Sequence, residues 1–277
     1  LLLSAYYAPE LTAIGKYNAE MATWLQAQGH EVRVVCMPPH YPAWKVWPGY
    51  SSWRYTHDRP DGVPVWRCPT WVPQQPGGLK RLISMGLFAL TSFPVLLRQL
   101  AWRPDMIFVV EPPLFLMFPA LLVGTVSRTP VWLHVQDLEV DAAFDLQLLK
   151  GDLARRCALG MERWLMARCR RVSTISHRMM DRLRSKGLDD ERLTLFPNWV
   201  ELPNAAMTPD AGQPSYRQQL GLGAGIFREA CVDGPRLHFH HSHAKRRQFH
   251  AQGIAQGMHG GFRRAVGTGK RRDQYAG

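Results

Sequence analysis

The first 36 residues alternate in a way that few folds accommodate. Residues 1–6 form an apolar run suited to a buried strand, and residues 8–14 carry Pro9 and read as a loop. Over 15–28, Tyr17, Met21, Trp24 and Leu25 recur at helical spacing, and Gly29 then stops the helix. Residues 31–36 (EVRVVC) alternate toward a second strand. A strand, a helix and a second strand within so short a stretch make a βαβ unit, whose two strands lie parallel.

The alternation continues with strands expected at 63–68, 105–110, 131–135, 171–175 and 193–196. Helices are expected at 80–100 (with a kink at Pro94), 114–127, 153–168 and 177–186. Ser176 caps the last helix and Gly187 ends it. Residues 37–52 are a loop rich in Pro and aromatics. The fold class is therefore α/β: a Rossmann-like parallel sheet over residues 1–200. No GxGxxG loop accompanies it.

The pattern ends near Leu222. Residues 201–222 read as a linker and the start of a helix. Residues 223–277 carry ten Lys/Arg against three acids, with six of the chain's 11 His and ten of its 23 Gly. They show neither a helical nor a strand period, so a disordered tail is expected there. The chain's net charge of +12 is thus mostly a property of that tail, whereas the first 222 residues carry +5. A basic balance suggests nucleic acid, but no recognition motif lies in the folded part, so no specific nucleic-acid partner is expected. The cluster His238, His240, His241 and His243 lacks the spacing of a metal site, and no metal is expected.

Five Cys without a CxxC pair fit a reducing, cytoplasmic setting, each as a small buried apolar residue. The opening Leu1-Leu2-Leu3 reads as the remainder of a first strand and has no basic leader of a signal peptide. The apolar run 82–97 falls short of the roughly 20 residues that span a bilayer. Flanked by Lys80, Arg81 and Arg98, it reads as a core helix or as one lying at a membrane surface.

Ligands of open α/β sheets bind where strands end, and three loops occupy such places. The first holds Glu10, Gly15 and Lys16 at a helix N-terminus, where free N–H groups favour an anion. The second is Glu111-Pro112-Pro113, whose carboxylate can hold a sugar hydroxyl or cap the next helix. The third follows the strand VWLHV: His134 can donate to a substrate oxygen or take a proton near neutral pH, and Asp137 beside it can orient the ring. Asp141 lies in the same segment.

Several segments resemble one family. They are YYAPELTAIGKY at 6–17, AQGHEVRVV at 27–35, PPHYPAW at 38–44, HVQDLEVD at 134–141, STIS at 173–176 and FPNWVE at 196–201. In this order they resemble the colanic-acid-type exopolysaccharide glycosyltransferases of glycosyltransferase family 4, over about residues 1–222.

The resemblance implies a two-domain GT-B fold whose N-terminal half binds the acceptor and whose C-terminal half binds a nucleotide-sugar. It implies transfer with retention of configuration, with no metal and no cofactor beyond the nucleotide-sugar donor. Matching residues place Gly15 near the donor diphosphate, with Glu10 and Lys16 in the same loop, and His134 against the transferred sugar beside Asp137. Glu111, Asp141 and Asn198 join them as substrate-binding candidates. Acceptors of such enzymes are lipid-linked oligosaccharides, so the resemblance also implies work at the cytoplasmic face of an inner membrane.

After residue 222 the family would continue into a donor-binding domain, and the sequence here departs from it. The tail reads as translation in a wrong frame beginning near 222–225, which leaves an acceptor half expected to be inactive alone. Two other readings stay open. One is a transferase for an N-acetylfucosamine-type sugar in O-antigen synthesis. The other is a non-catalytic module that binds acceptor or membrane.

Overall fold

The computed structural model describes residues 1–10, 13–75, 77–145 and 151–199. The expected linker and the basic tail lie outside the described residues. Within them, eight strands form one sheet: β1 (Leu2–Leu3), β2 (Val34–Cys36), β3 (Thr56–Asp58), β4 (Val65–Arg67), β5 (Ile107–Glu111), β6 (Val131–Val135), β7 (Arg171–Thr174) and β8 (Leu193–Leu195). Their spatial order is β3-β4-β2-β1-β5-β6-β7-β8. Every neighbouring pair is parallel except β3–β4. The chain builds outward from β1 in one direction and then, with β5, in the other, so the topological switch point lies between β1 and β5.

The strands read as unbroken apolar runs because both faces of the sheet are covered. All five residues of β6 are buried, as are all three of β2. The alternate residues Leu3, Val35, Val109, Leu133 and Val172 meet Phe88 and Leu96, Met117 and Ala120, and Leu165 in the main core. Those partners come from α2 (Gly78–Gln99), α3 (Met117–Ser127) and α5 (Asp152–Met166). Full burial of such a side chain contributes about 1.5–3 kcal/mol. On the other face, α1 (Ala13–Ala27) packs near Leu2, Phe108 and Trp132.

Helix ends follow the sequence. Ser176 Oγ accepts from Met179 N and starts α6 (His177–Ser185), while Gly29 and Gly187, at φ 83° and 93°, end α1 and α6. Pro94 lies inside α2, which continues through it as one helix.

Two elements were not expected. The antiparallel edge strand β3 is the polar triplet Thr-His-Asp and has no apolar period. It is held by buried Arg67, whose guanidinium donates to both Asp58 oxygens and to Ala8 O. The short α4 (Glu139–Asp145) occupies what the sequence read as loop. Cys36, Cys68 and Cys169 are buried as expected, but Cys157 is exposed on α5.

Candidate functional site

The carboxyl ends of β1, β5, β6 and β8 carry all the candidate residues, and the structure divides them into two groups on either side of the switch point. On the β1 side, Glu10 is 2% exposed. One of its oxygens accepts from the backbone N–H groups of His40 and Tyr41, at 2.6 and 2.7 Å. Burial raises its pKa, and the two N–H donors oppose that shift. Its carboxylate therefore clamps the loop after β2 onto the loop after β1. Both donors meet the same oxygen, so Glu10 holds the loops through one carboxylate oxygen, a role beside the expected one in binding.

Gly15 serves the same junction. A Cβ there would lie 2.8 Å from the Glu10 carbonyl oxygen. The close approach is one of backbone to backbone, and it explains the glycine without an anion. Lys16 pairs along the helix with Glu20 at 3.5 Å and lies over the Tyr17 ring.

The clamp presents an aromatic group. The Tyr6 ring stacks on His40 at 5.6 Å and meets Tyr41 edge-on, while Trp44 packs against His40 and carries the Arg81 guanidinium at 5.4 Å. Burial pushes the Tyr6 phenol up to about 12, against the pull of nearby Arg81. Rings beside a cation at a switch point can stack on a saccharide and meet its charged or hydroxyl groups.

On the other side, Glu111 ends β5 fully buried, and neither carboxyl oxygen has a hydrogen-bond partner. Burial, reinforced by the neighbouring Glu162 charge, raises its pKa well above the usual carboxylate value. Burial thus favours the protonated form of Glu111, which does not meet solvent. The capping role belongs to Glu139, which accepts from Leu114 N at 2.9 Å.

Asp141 is also placed differently from expectation. Together with buried Glu162 it pairs with Lys186, so its charge locks α4 to α5 and to the end of α6.

His134 is 3% exposed, and burial lowers its pKa to about 3. Its Nδ1 lies 2.9 Å from Ser173 Oγ, which also accepts from Trp132 Nε1 at 2.9 Å. Its Nε2 lies 3.0 Å from Gln136 Nε2, and the same Gln136 amide donates to Asn198 Oδ1 at 3.0 Å. With Gln136 as donor to both, Nε2 of His134 accepts and its single proton sits on Nδ1. Phe108 and Phe196 pack on the ring.

The expected proton acceptor near neutral pH is therefore corrected: desolvation keeps His134 neutral. Asp137 is exposed and does not orient the ring, which Ser173 and Gln136 hold instead. Asn198 is exposed at the outer end of this chain of hydrogen bonds.

The sequence reading missed Gln136, Ser173, Glu139, Glu162 and Lys186. Register offered a signal for one of them, since Ser173 lies directly beside His134 in the sheet. A cavity of about 270 Å³ opens at the opposite edge, against α1 and the start of β1.

A family model described as a glycosyl transferase 4-like domain matches residues 12–199, nearly all of this architecture. The chain belongs to the glycosyl transferase 4-like family. A protein of Escherichia coli (strain K12), carrying the name colanic acid biosynthesis glycosyl transferase WcaI, is 44% identical over 225 residues. That match covers 80% of this chain and 55% of the relative, so the chain spans about half the length of the protein it resembles. A solved structure of Anabaena HepE with UDP and glucose is 13% identical, at a TM-score of 0.43 over 79% of this chain and 50% of that one. As a glycosyl transferase 4-like domain, the chain has its switch-point rings on one side of the β1–β5 boundary and the buried His134 network on the other.

Proposed function

We propose that residues 1–199 are the acceptor-binding half of a retaining glycosyltransferase of colanic-acid-type exopolysaccharide synthesis. In this reading a nucleotide-sugar donates the sugar and a lipid-linked oligosaccharide accepts it, at the cytoplasmic face of the inner membrane, with no metal or cofactor. The observation that carries the reading is the family match over residues 12–199. The relative named for colanic acid biosynthesis supports the pathway.

The chemistry assigned to this half is positioning. Tyr6, Tyr41 and Trp44 stack on the acceptor saccharide, and Arg81 meets its anionic or hydroxyl groups. Asn198 and Gln136 face the transferred sugar, with His134 behind them as a neutral, fixed support. An acceptor oxygen attacks the anomeric carbon as the bond from that carbon to the donor phosphate breaks. His134, with its pKa about 3, is too weak a base to take the acceptor's proton at neutral pH. The proton passes to the departing diphosphate oxygen.

The purified chain should bind an acceptor saccharide, seen as saturation transfer in NMR that Tyr41→Ala weakens. It should release no nucleotide from a nucleotide-sugar by itself. Acceptor binding that ignores Tyr41→Ala would overturn the assigned subsite, and nucleotide release would overturn the division of labour.

A further inference from the structure

The amino ends of the strands, across the sheet from the carboxyl edge, carry a feature that sugar transfer does not use. Arg128 directly follows α3, Arg170 directly precedes β7 and Arg192 directly precedes β8. With Arg168 they line a groove of about 530 Å³. Small-molecule sites commonly enclose about 300–1,000 Å³. No carboxylate stands in this lining, and none of the four arginines forms an ion pair among the described residues.

Helix ends account for half of this charge. The last carbonyls of a helix lack partners inside it, and a cation beside them is favoured. Arg168 donates to Trp164 O at 3.1 Å, with its guanidinium 3.6 Å from the centroid of the Trp164 ring. Arg192 donates to Ala167 O at 2.9 Å. Both therefore close the C-terminal end of α5. Each spends one of its five N–H donors on that carbonyl and is held in place along the groove.

Arg128 and Arg170 have no such employment. Their backbone N–H groups donate to Thr125 O and Val131 O, but neither guanidinium has a partner among the described residues. Arg128 also sits at φ 57°, in the left-handed region that favours glycine. The chain places Gly29 and Gly187 at the corresponding ends of α1 and α6. After α3 it keeps a long cation where glycine would suit the backbone better. The hydroxyls of Thr125 and Thr129 are already committed as donors, to Leu121 O at 2.7 Å and Pro104 O at 3.1 Å. The side-chain N–H groups left for a ligand are those of the arginines.

We propose that this groove binds a soluble phosphate oligoanion, a di- or triphosphate. The planar fork of a guanidinium matches paired phosphate oxygens, which a point-charge ammonium does not. A single monoanion would meet only part of four cations, whereas two or three linked phosphates set oxygens against several of them. Arg168 and Arg192 supply the fixed wall, and the unpartnered Arg128 and Arg170 close on the ligand. The groove lies at the amino ends of β6, β7 and β8, so the proposal stands or falls separately from sugar transfer at the carboxyl ends.

The test is isothermal titration calorimetry of the full chain with inorganic tripolyphosphate, in chloride and again in sulfate at matched ionic strength. The wild type should bind in both. Arg128→Gln with Arg170→Gln, both at exposed positions, should weaken binding about 100-fold through loss of two charge-assisted contacts, with urea unfolding unchanged. Arg128→Lys with Arg170→Lys keeps the charge but loses the forks, and should remain about tenfold weaker than the wild type.

Two other basic places need controls: the run Lys245, Arg246 and Arg247 in the tail, and Arg81 beside the switch-point rings. Changing the first three to Gln, or Arg81 to Gln, should leave the groove's binding in place. Binding lost with either of these variants but untouched by Arg128→Gln and Arg170→Gln would overturn the proposal. Binding that vanishes in sulfate, or a lysine pair that binds as the wild type does, would reduce the groove to unspecific charge and overturn it as well.

Discussion

The two sides of the switch point use buried charge in opposite ways. Beside β1, a single carboxylate, Glu10, is surrounded by donors and gathers two loops through backbone N–H groups. Beside β5 and β6, Glu162 and Asp141 converge on one cation, Lys186, and burial raises the pKa of the nearby Glu111. Next to them His134 is neutral for the converse reason, desolvation of a base. The first side is held by hydrogen bonds to backbone, and the second by a balance of protonation. The first should therefore respond most to deletion of one side chain, and the second most to pH.

Lys186→Ala should have the largest effect. It leaves Glu162 and Asp141 without their cation, and loss of one partner of a buried pair costs about 3–5 kcal/mol. Urea unfolding measures this, and a loss under 1 kcal/mol would show the cluster to be solvated. Glu10→Ala should come next, at about 2–3 kcal/mol, because two N–H groups beneath the Tyr6–Tyr41 rings lose a charged acceptor. Because burial raises the Glu10 pKa, its cost should be largest below the ordinary carboxylate value of 4.5 and fall as pH rises.

Glu111→Gln separates the two sides by pH. The native carboxyl keeps its proton above the ordinary value of 4.5, while the unfolded one releases it. The stability contributed by this group is thus full below 4.5 and lost as pH rises. The variant should gain on the wild type with rising pH, by up to about 1.4 kcal/mol per pH unit. A pH-independent difference would mean that Glu111 is ionised in the fold. Asn198→Ala should change stability by about 0.5 kcal/mol or less, since its bond to Gln136 is exposed. A loss of several kcal/mol would make it part of the core instead.

The sheet was readable in the sequence because parallel strands buried on both faces read as apolar runs, as VWLHV does, and because Ser176, Gly29 and Gly187 mark helix ends. The edge strand β3 was not readable: Thr-His-Asp is held by Arg67 from the neighbouring strand, a contact with no local pattern. The candidate residues were legible as positions at strand ends but not as roles. Glu10, Glu111, Asp141 and His134 do stand at the carboxyl edge. What decides their chemistry is which of them the fold desolvates and which partner it brings, and Lys186 and Glu162 reach Asp141 only through three helices.

The most direct test of this account is the protonation of His134, followed by nitrogen-15 NMR of the imidazole as pH is varied. The account predicts a neutral ring with its proton on Nδ1 and no titration between about pH 5 and pH 8. It also predicts that stability conferred by the neutral ring is present above the ordinary pKa of 6.5 and is lost as pH falls toward about 3. A midpoint near the ordinary value, or a proton on Nε2, would contradict it and return His134 to the role of an accessible acid or base.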